Sequence, residues 1–570
     1  MYVLGAGCGN TGFSTCDVPP RMDSGDTLYI DGDSDITPGA QAQYPVGLDT
    51  SGGVTPANGS HCFGPAPSDC TMANMPGTSS IIGTGKHRPQ LWGREQVDQV
   101  LNDNNSTSTT IDNLEITQHS ACVYNGADPN HATDGFPNRC HTPNGSSAPF
   151  GDWGITGLSL TGKGITLKNC WIHGMGQWGI ATGNLTGFTE QNNIINGNGG
   201  GGVGLGQNNS GGSITLGGTT TVTQEIIAFN GCGSHYPLHS SDPFDTLNYH
   251  HCADDNSSNG TMLADGWAIE SSSAKCNNVV MNNDIISFNT KGGVDNLHCN
   301  GSGTFSAYRV RAEGNESQQM KINYGRAHIE NSQIINDCNY FQGQPFTTPC
   351  GGDGSCPPSQ GYDFCRAAGN GLRIAVVAGG TYDISNSTFY SDGGDNVEFP
   401  EGVTCDAASH VNMYNNLVVH ARDYANGGKE NTSFWSNDTG LSACHPVKED
   451  YNLVYQSNNS QCAGQHDVCN NPPHAAVTGN FALNGNNGTS YTNTNLGDQF
   501  TPFSGGALAG AANGSLTLSG TPNDYNNASR GSSWDIGSYQ HNSCAVKGSI
   551  CFSNEGCCGG TCGGHICSGA

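Results

Sequence analysis

Positive charge is what this chain has least of. Its 570 residues carry 20 Lys and Arg against 48 Asp and Glu, a formal net charge of −28. That balance excludes a nucleic-acid partner, because binding phosphates needs basic stripes that displace counterions. It also argues against simple electrostatic capture of an acidic polysaccharide. The excess negative charge serves solubility, or else divalent-cation contacts between chains or with an acidic glycan.

Long apolar runs are missing too. None approaches the roughly 20 residues of a transmembrane helix. The start, Met1 to Cys8, has no basic segment and no long apolar stretch, so a disulfide-rich chain of this kind reads as a mature or truncated form, or as the product of a fragmentary gene model. Helical periodicity is scarce, and short apolar runs punctuated by Gly, Asn and Asp take its place. That excludes a helical solenoid. No Gly-x-Ser-x-Gly elbow occurs. The 19 histidines show no zinc spacing, and His250-His251-Cys252 reads as a loop. The Gly-rich stretch Gly197 to Gly206 lacks the strand-to-helix context of a phosphate cradle and reads as a flexible loop.

What is present is a recurring phrase of two apolar residues framed by Asn, Asp or Gly. It occurs as Asn193-Ile194-Ile195-Asn196, Glu225-Ile226-Ile227-Ala228-Phe229-Asn230, Asp284-Ile285-Ile286-Ser287-Phe288-Asn289 and Gln333-Ile334-Ile335-Asn336. Looser copies are Cys170-Trp171-Ile172-His173 and Ser387-Thr388-Phe389-Tyr390. The clean spacings run from about twenty to thirty-five residues, a strand-sized unit at solenoid period. The expected fold is all-β, coil stacked on coil.

Three segments follow from composition. Residues 1–110 lack the phrase and form an N-terminal cap with first strands, among them Asp26 to Gly32 and Arg88 to Gly93. Residues 111–540 form the coils, with Cys-bearing insertions that in a solenoid emerge on one side and build a binding face. Residues 541–570 hold six of the 25 cysteines in fewer than thirty residues, so staples must replace a core there.

Such cysteine usage places the chain outside the reducing cytosol, secreted or at the cell surface. Cys8/Cys16, Cys62/Cys70, Cys122/Cys140 and Cys462/Cys469 read as local staples. Nineteen cysteines precede residue 540, an odd number, so one thiol is free or one bridge is intermolecular. Seventeen Asn-x-Ser/Thr sequons occur, among them Asn58, Asn184, Asn315, Asn386 and Asn431.

The phrase Gly25-Asp26-Thr27-Leu28-Tyr29-Ile30, the segment Leu114 to Ser120, Asn289-Thr290 with Gly293-Val294-Asp295, Glu313-Gly314-Asn315, Cys365-Arg366-Ala367 and the closing Trp534-Asp535-Ile536-Gly537-Ser538-Tyr539 carry a resemblance. The chain resembles secreted right-handed parallel β-helix proteins of the pectin-lyase-like superfamily, and most closely an uncharacterised bacterial group. The resemblance implies a right-handed parallel β-helix. The terminal cysteines resemble an inhibitor-cystine-knot module, which implies the bridges Cys544–Cys558, Cys551–Cys562 and Cys557–Cys567.

Members of that superfamily commonly cleave acidic polysaccharides. A lyase needs a base beside the uronate proton and a cation on the carboxylate. The local cluster suited to this is Lys321, Tyr324, Arg326 and His328. Alternation turns Met320 and Ile322 inward and Lys321 outward, with Arg309 and Arg311 outward one coil earlier. The same residues also read as a solvated basic stripe that satisfies neighbouring acids. Asn289 to Asp295 is similar in part to a polygalacturonase segment, but Lys291 stands where that family has Asp, and no Gly-His-Gly follows. Asp31, Asp33 and Asp35 offer alternating hard oxygen ligands to Ca2+, or make a solvated acidic turn.

Two functions fit. One is an extracellular protein that binds a polysaccharide along the insertion-lined face, either without cleaving it or as a depolymerase. The other is a self-assembling structural glycoprotein of a fibre, sheath or surface.

Overall fold

The computed structural model describes residues 2–4, 23–33, 39–46, 73–75, 77–93, 99–117, 156–206, 215–231, 264–270, 276–299, 301–336, 370–391, 395–399, 406–420, 435–437, 448–455, 462, 464–469, 511–516, 523–526, 529–530, 534–538, 561–563 and 566–568. They fall into two compact units: residues 1–221 with 225–275, and residues 222–224 with 276–570. Each is a stack of three-stranded coils in parallel register, as the expected parallel β-helix requires.

In the unit of residues 276–570, one strand position is filled by Val294–Asn296, Met320–Ile322, Leu372–Ile374, Val397–Phe399 and Trp435–Asn437. These form the first face. The second face runs through Thr304–Tyr308, Arg326–Glu330, Thr381–Ser385, His410–Tyr414 and Lys448–Asp450. The third face runs from Ile285–Ser287 through Arg311–Glu313, Gln333–Asn336, Thr388–Ser391 and Leu417–His420 to Leu453–Tyr455. Period-two alternation turns every second residue inward. On the third face Ile286, Ala312, Ile334, Phe389, Val418 and Val454 stack in one buried row. Burying each large member contributes about 1.5–3 kcal/mol.

The polar frame around the Ile-Ile phrase has a structural cause. The residue at the corner before each third-face strand has positive φ: Asn283, Arg309, Asn331, Asn386, Asn415 and Tyr451 in this unit, and Asn113, Asn169 and Asn192 in the other. Asn tolerates the left-handed conformation better than most side chains. The next residue turns inward and joins a hydrogen-bonded ladder. Ser332 N donates to Ser387 Oγ at 3.1 Å, Ser387 N to Asn416 Oδ1 at 3.0 Å, and Asn416 N to Asn452 Oδ1 at 2.9 Å. Without the ladder these buried amides would be unmatched, at a cost of about 1–3 kcal/mol each.

In the unit of residues 1–275 the coils begin earlier than residue 111. Thr27–Asp31 pairs in parallel with Ser80–Thr84, which pairs with Thr110–Asp112. The segment expected to lack the phrase holds an Ile-Ile pair in Ile81-Ile82, and Leu28, Ile30 and Ile81 are buried there. Gly197 to Gly206 is not a loop: Gly201–Leu205 is a buried strand. Gly201 has φ of 156°, and a Cβ there would stand 2.3 Å from the Trp178 ring, so only glycine fits.

Among the described residues Cys170 is a free, fully buried thiol at an inward ladder position, and its N–H donates to Asn193 Oδ1 at 2.8 Å. Burial pushes the thiol up to about 12. Cys462–Cys469 is bonded as expected, and Cys276–Cys299 is a further bridge across 23 residues. Cys8, Cys16, Cys62, Cys70, Cys122 and Cys140 lie outside the described residues. So do the side chains of the terminal module, where an antiparallel hairpin sets Cys562 opposite Cys567.

Past the last coils, residues 529–530 and 534–538 lie against the third face of their own unit. Arg530 is 2% exposed and donates to the carbonyls of Asp535, Gly537 and Ser538 and to Asn331 Oδ1. Ser538 meets Thr388 Oγ1 and Gln333. The closing segment Trp534 to Ser538 therefore acts, through Ser538, as a strap over the coils.

Candidate functional site

Parallel register turns a sequence scatter into a charged row. On the first face of the unit of residues 276–570, Asp295 is the Cα partner of Lys321, Lys321 of Arg373, and Arg373 of Glu398. Their inward neighbours Val294, Met320, Ile322, Leu372, Ile374, Val397 and Phe399 are core residues. The four charged side chains therefore rise from the opposite side, about 4.8 Å apart rung to rung.

The row reads anion, cation, cation, anion. Lys321 Nζ donates to Asp295 Oδ2 at 2.7 Å, with both side chains under a tenth exposed. Burial alone would raise the Asp295 carboxyl, but the Lys321 and Lys291 charges outweigh it and hold it below its ordinary range. Arg373 Nε stands 3.4 Å from Glu398 Oε2, with the Arg side chain 30% exposed. Asn370, buried, fixes that carboxylate by donating Nδ2 to Glu398 Oε2 at 2.6 Å, and its own Oδ1 accepts from Asp395 N at 2.8 Å.

The connection into the first face is where the chain spends its insertions. In this unit segments 337–369 and 421–434 lie between a third-face strand and the next first-face strand. In the other unit, segment 118–155 lies between Glu115–Thr117 and Thr156–Lys168, and 232–263 between Ile226–Ala228 and Asp265–Ile269.

The structure divides the cluster expected around Lys321. Lys321 is on the first face, as alternation requires, but it is buried against Asp295. Arg326 and His328 stand on the second face, Arg326 exposed and His328 half-buried. Tyr324 departs from the expected site: it is fully buried beside Phe305, and burial pushes its phenol up. Its inward turn follows from the three-residue link between two strands, which carries it into the core. Arg309 and Arg311 do not join Lys321 either. Arg309 is a corner residue bonded to Asn282, and Arg311 is a buried third-face residue paired with Glu313. Arg373 and Glu398 were missed because they lie 52 and 77 residues beyond Lys321, across an insertion that hides the register.

The acidic turn is bonded internally. Asp33 accepts from Lys86 N at 3.0 Å and from His87 Nδ1 at 2.8 Å, and Asp31 Oδ1 accepts from Asp33 N at 3.0 Å. Asp35 lies outside the described residues. Among the described residues no group of three His, Cys, Asp or Glu is arranged to hold a metal ion.

Two expected glycosylation sites are corrected by burial. Asn315 is fully buried, giving Nδ2 to Ile286 O at 3.0 Å, and Asn386 is a fully buried corner residue. Neither side chain is accessible in the folded protein. Asn184 is exposed, while Asn58 and Asn431 lie outside the described residues.

Fold and site define a parallel β-helix carrying a charged row on one face. No family model matches the chain, and no curated protein matches its sequence. Among solved structures, the pectate lyase Pel9A aligns over 94% of this chain and 94% of its own, at 12% identity and a TM-score of 0.38. The Dettilon tailspike protein aligns over 80% of this chain and 64% of its own, at 11% identity and a TM-score of 0.34. A catalytic domain of a GH87 α-1,3-glucanase aligns over 78% of this chain and 64% of its own, at 9% identity and a TM-score of 0.31. Likeness at this level assigns no residue and no activity. No helix is long and apolar enough to cross a membrane among the described residues.

Proposed function

We propose that the protein is an extracellular polysaccharide-binding β-helix whose binding face is the row Asp295–Lys321–Arg373–Glu398. One observation carries this: two cations occupy adjacent rungs in a chain with only 20 Lys and Arg. Lys321 is closed off against Asp295, whereas Arg373, 30% exposed, is open to a ligand carboxylate, which its planar guanidinium suits. Rungs at one regular spacing also suit a ligand made of repeating sugars.

If the face is catalytic, the reaction is β-elimination. Arg373 neutralises the uronate carboxylate, and Lys321, having first passed a proton to Asp295, takes the proton beside it. The bond to the leaving sugar oxygen then breaks, leaving an unsaturated end. Ca2+ has no assigned ligands in this reading.

The test is incubation with a panel of uronate and neutral polysaccharides, read by absorbance of unsaturated products and by new reducing ends. Unsaturated products that vanish in Lys321→Ala support elimination. Undiminished products in that variant exclude Lys321 as the base. If neither cleavage nor binding occurs with any glycan, the charged row is only a pair of structural salt bridges, and the structural-subunit reading takes its place.

A further inference from the structure

We infer that Ser306, His328 and Asp383 form an ester-hydrolysing triad on the second face of the unit of residues 276–570, for acyl esters of the kind carried by polysaccharides. This activity is separate from the charged row on the first face.

The three residues are 22 and 55 positions apart in sequence, yet register stacks them on consecutive rungs. Ser306 is the Cα partner of His328, and His328 of Asp383. Phe305, Ala307, Ala327, Ile329, Tyr382 and Ile384 flank them as core residues, so alternation turns all three away from the core.

The order along the row is nucleophile, base, carboxylate. His328 presents Nδ1 to Asp383 Oδ2 at 3.9 Å, the polarity that leaves Nε2 for a hydroxyl. Asp383 is itself oriented, since its Oδ1 accepts from Asn412 Nδ2 at 2.7 Å. The His328 side chain is 32% exposed and so open to a ligand. Neighbouring serines are bonded into the ladder, as Ser332 and Ser387 are. Among the described residues no hydrogen bond holds the Ser306 hydroxyl. Exposed Arg326, two residues before His328 on the same side of the strand, supplies positive charge for the oxyanion. Catalytic hydrogen bonds that are long without ligand tighten when one is bound.

In the reaction, Ser306 Oγ attacks the ester carbonyl carbon and its proton passes to His328 Nε2. The carbonyl–alkoxy bond breaks, and the leaving alkoxide takes that proton. Water then attacks the acyl-serine, again through His328. The bond to Oγ breaks, Ser306 regains its proton, and a carboxylic acid and an alcohol leave.

The experiment treats the full chain with a fluorophosphonate probe and maps the labelled peptide. Hydrolysis of p-nitrophenyl acetate and of an acetylated xylan is measured alongside. The expected label is on Ser306. Hydrolysis should fall by about 100-fold or more in Ser306→Ala and His328→Gln. Asp383→Asn should keep the label site but lower the rate and alter the pH–rate profile. Absence of label on Ser306 in the folded wild type, or hydrolysis unchanged in a folded Ser306→Ala, overturns the inference. If Ser306→Ala does not fold, labelling of the wild type alone decides.

Discussion

Lys321 Nζ lies 2.7 Å from Asp295 Oδ2, although the two residues are 26 apart in sequence and both point away from the core. Each is under a tenth exposed, so each is the other's replacement for water. Removing one partner strands a buried charge. Asp295→Ala should therefore destabilise the unit by about 3–5 kcal/mol, as seen by urea unfolding. The double change Asp295→Leu with Lys321→Met should cost far less.

The same pair sets an acid limit. The folded Asp295 carboxyl lies below its ordinary value of 3.8, so its stabilisation is full above that value and is lost as pH falls through the folded value. Unfolding measured at falling pH should show this loss in the wild type and not in Asp295→Asn.

Glu190 acts in the opposite sense, in the unit of residues 1–275. It is fully buried, and burial raises its carboxyl from 4.5 to about 7 despite the bond from Trp267 Nε1 at 3.0 Å. A raised carboxyl favours folding below the ordinary value, and that stability is lost as pH rises through about 7. Glu190→Gln should flatten the decline across that window, read from melting temperature against pH.

Cys170 predicts a kinetic contrast. Its buried thiol should resist iodoacetamide in the folded protein and react once the chain is unfolded without reductant, as scored by peptide mass. Labelling in the folded state would mean that the corner opens.

The corner ladder predicts a folding cost. Asn416 accepts from Ser387 N and donates to Ile384 O, so Asn416→Ala leaves both unmatched. The expected loss is about 2–4 kcal/mol. In a glycosylating host, glycopeptide mapping should find Asn315 and Asn386 unmodified.

The Ile-Ile phrase made the coils legible because inward apolar pairs and left-handed Asn corners are local features. Asn192 and Asn283 stand one residue before the polar frames of two such phrases. Register was not legible. Which Arg stacks on Lys321 depends on how segment 337–369 is spliced between two strands, and no local pattern encodes that. The strap through Arg530 was hidden for the same reason, since its partner Asn331 lies 199 residues away. Tyr324 misled because a Tyr beside Lys321 looks like a site member in sequence, whereas a short link between strands turns it into the core.

The central claim is that the first-face row binds a polysaccharide through Arg373. Affinity electrophoresis in gels carrying polygalacturonate measures it directly, comparing the wild type with Arg373→Ala and with Arg326→Ala on the other face. The account predicts retardation of the wild type and of Arg326→Ala, and weakening by roughly 10–100-fold in Arg373→Ala, the value of a charge-assisted hydrogen bond. Equal retardation of wild type and Arg373→Ala would contradict it.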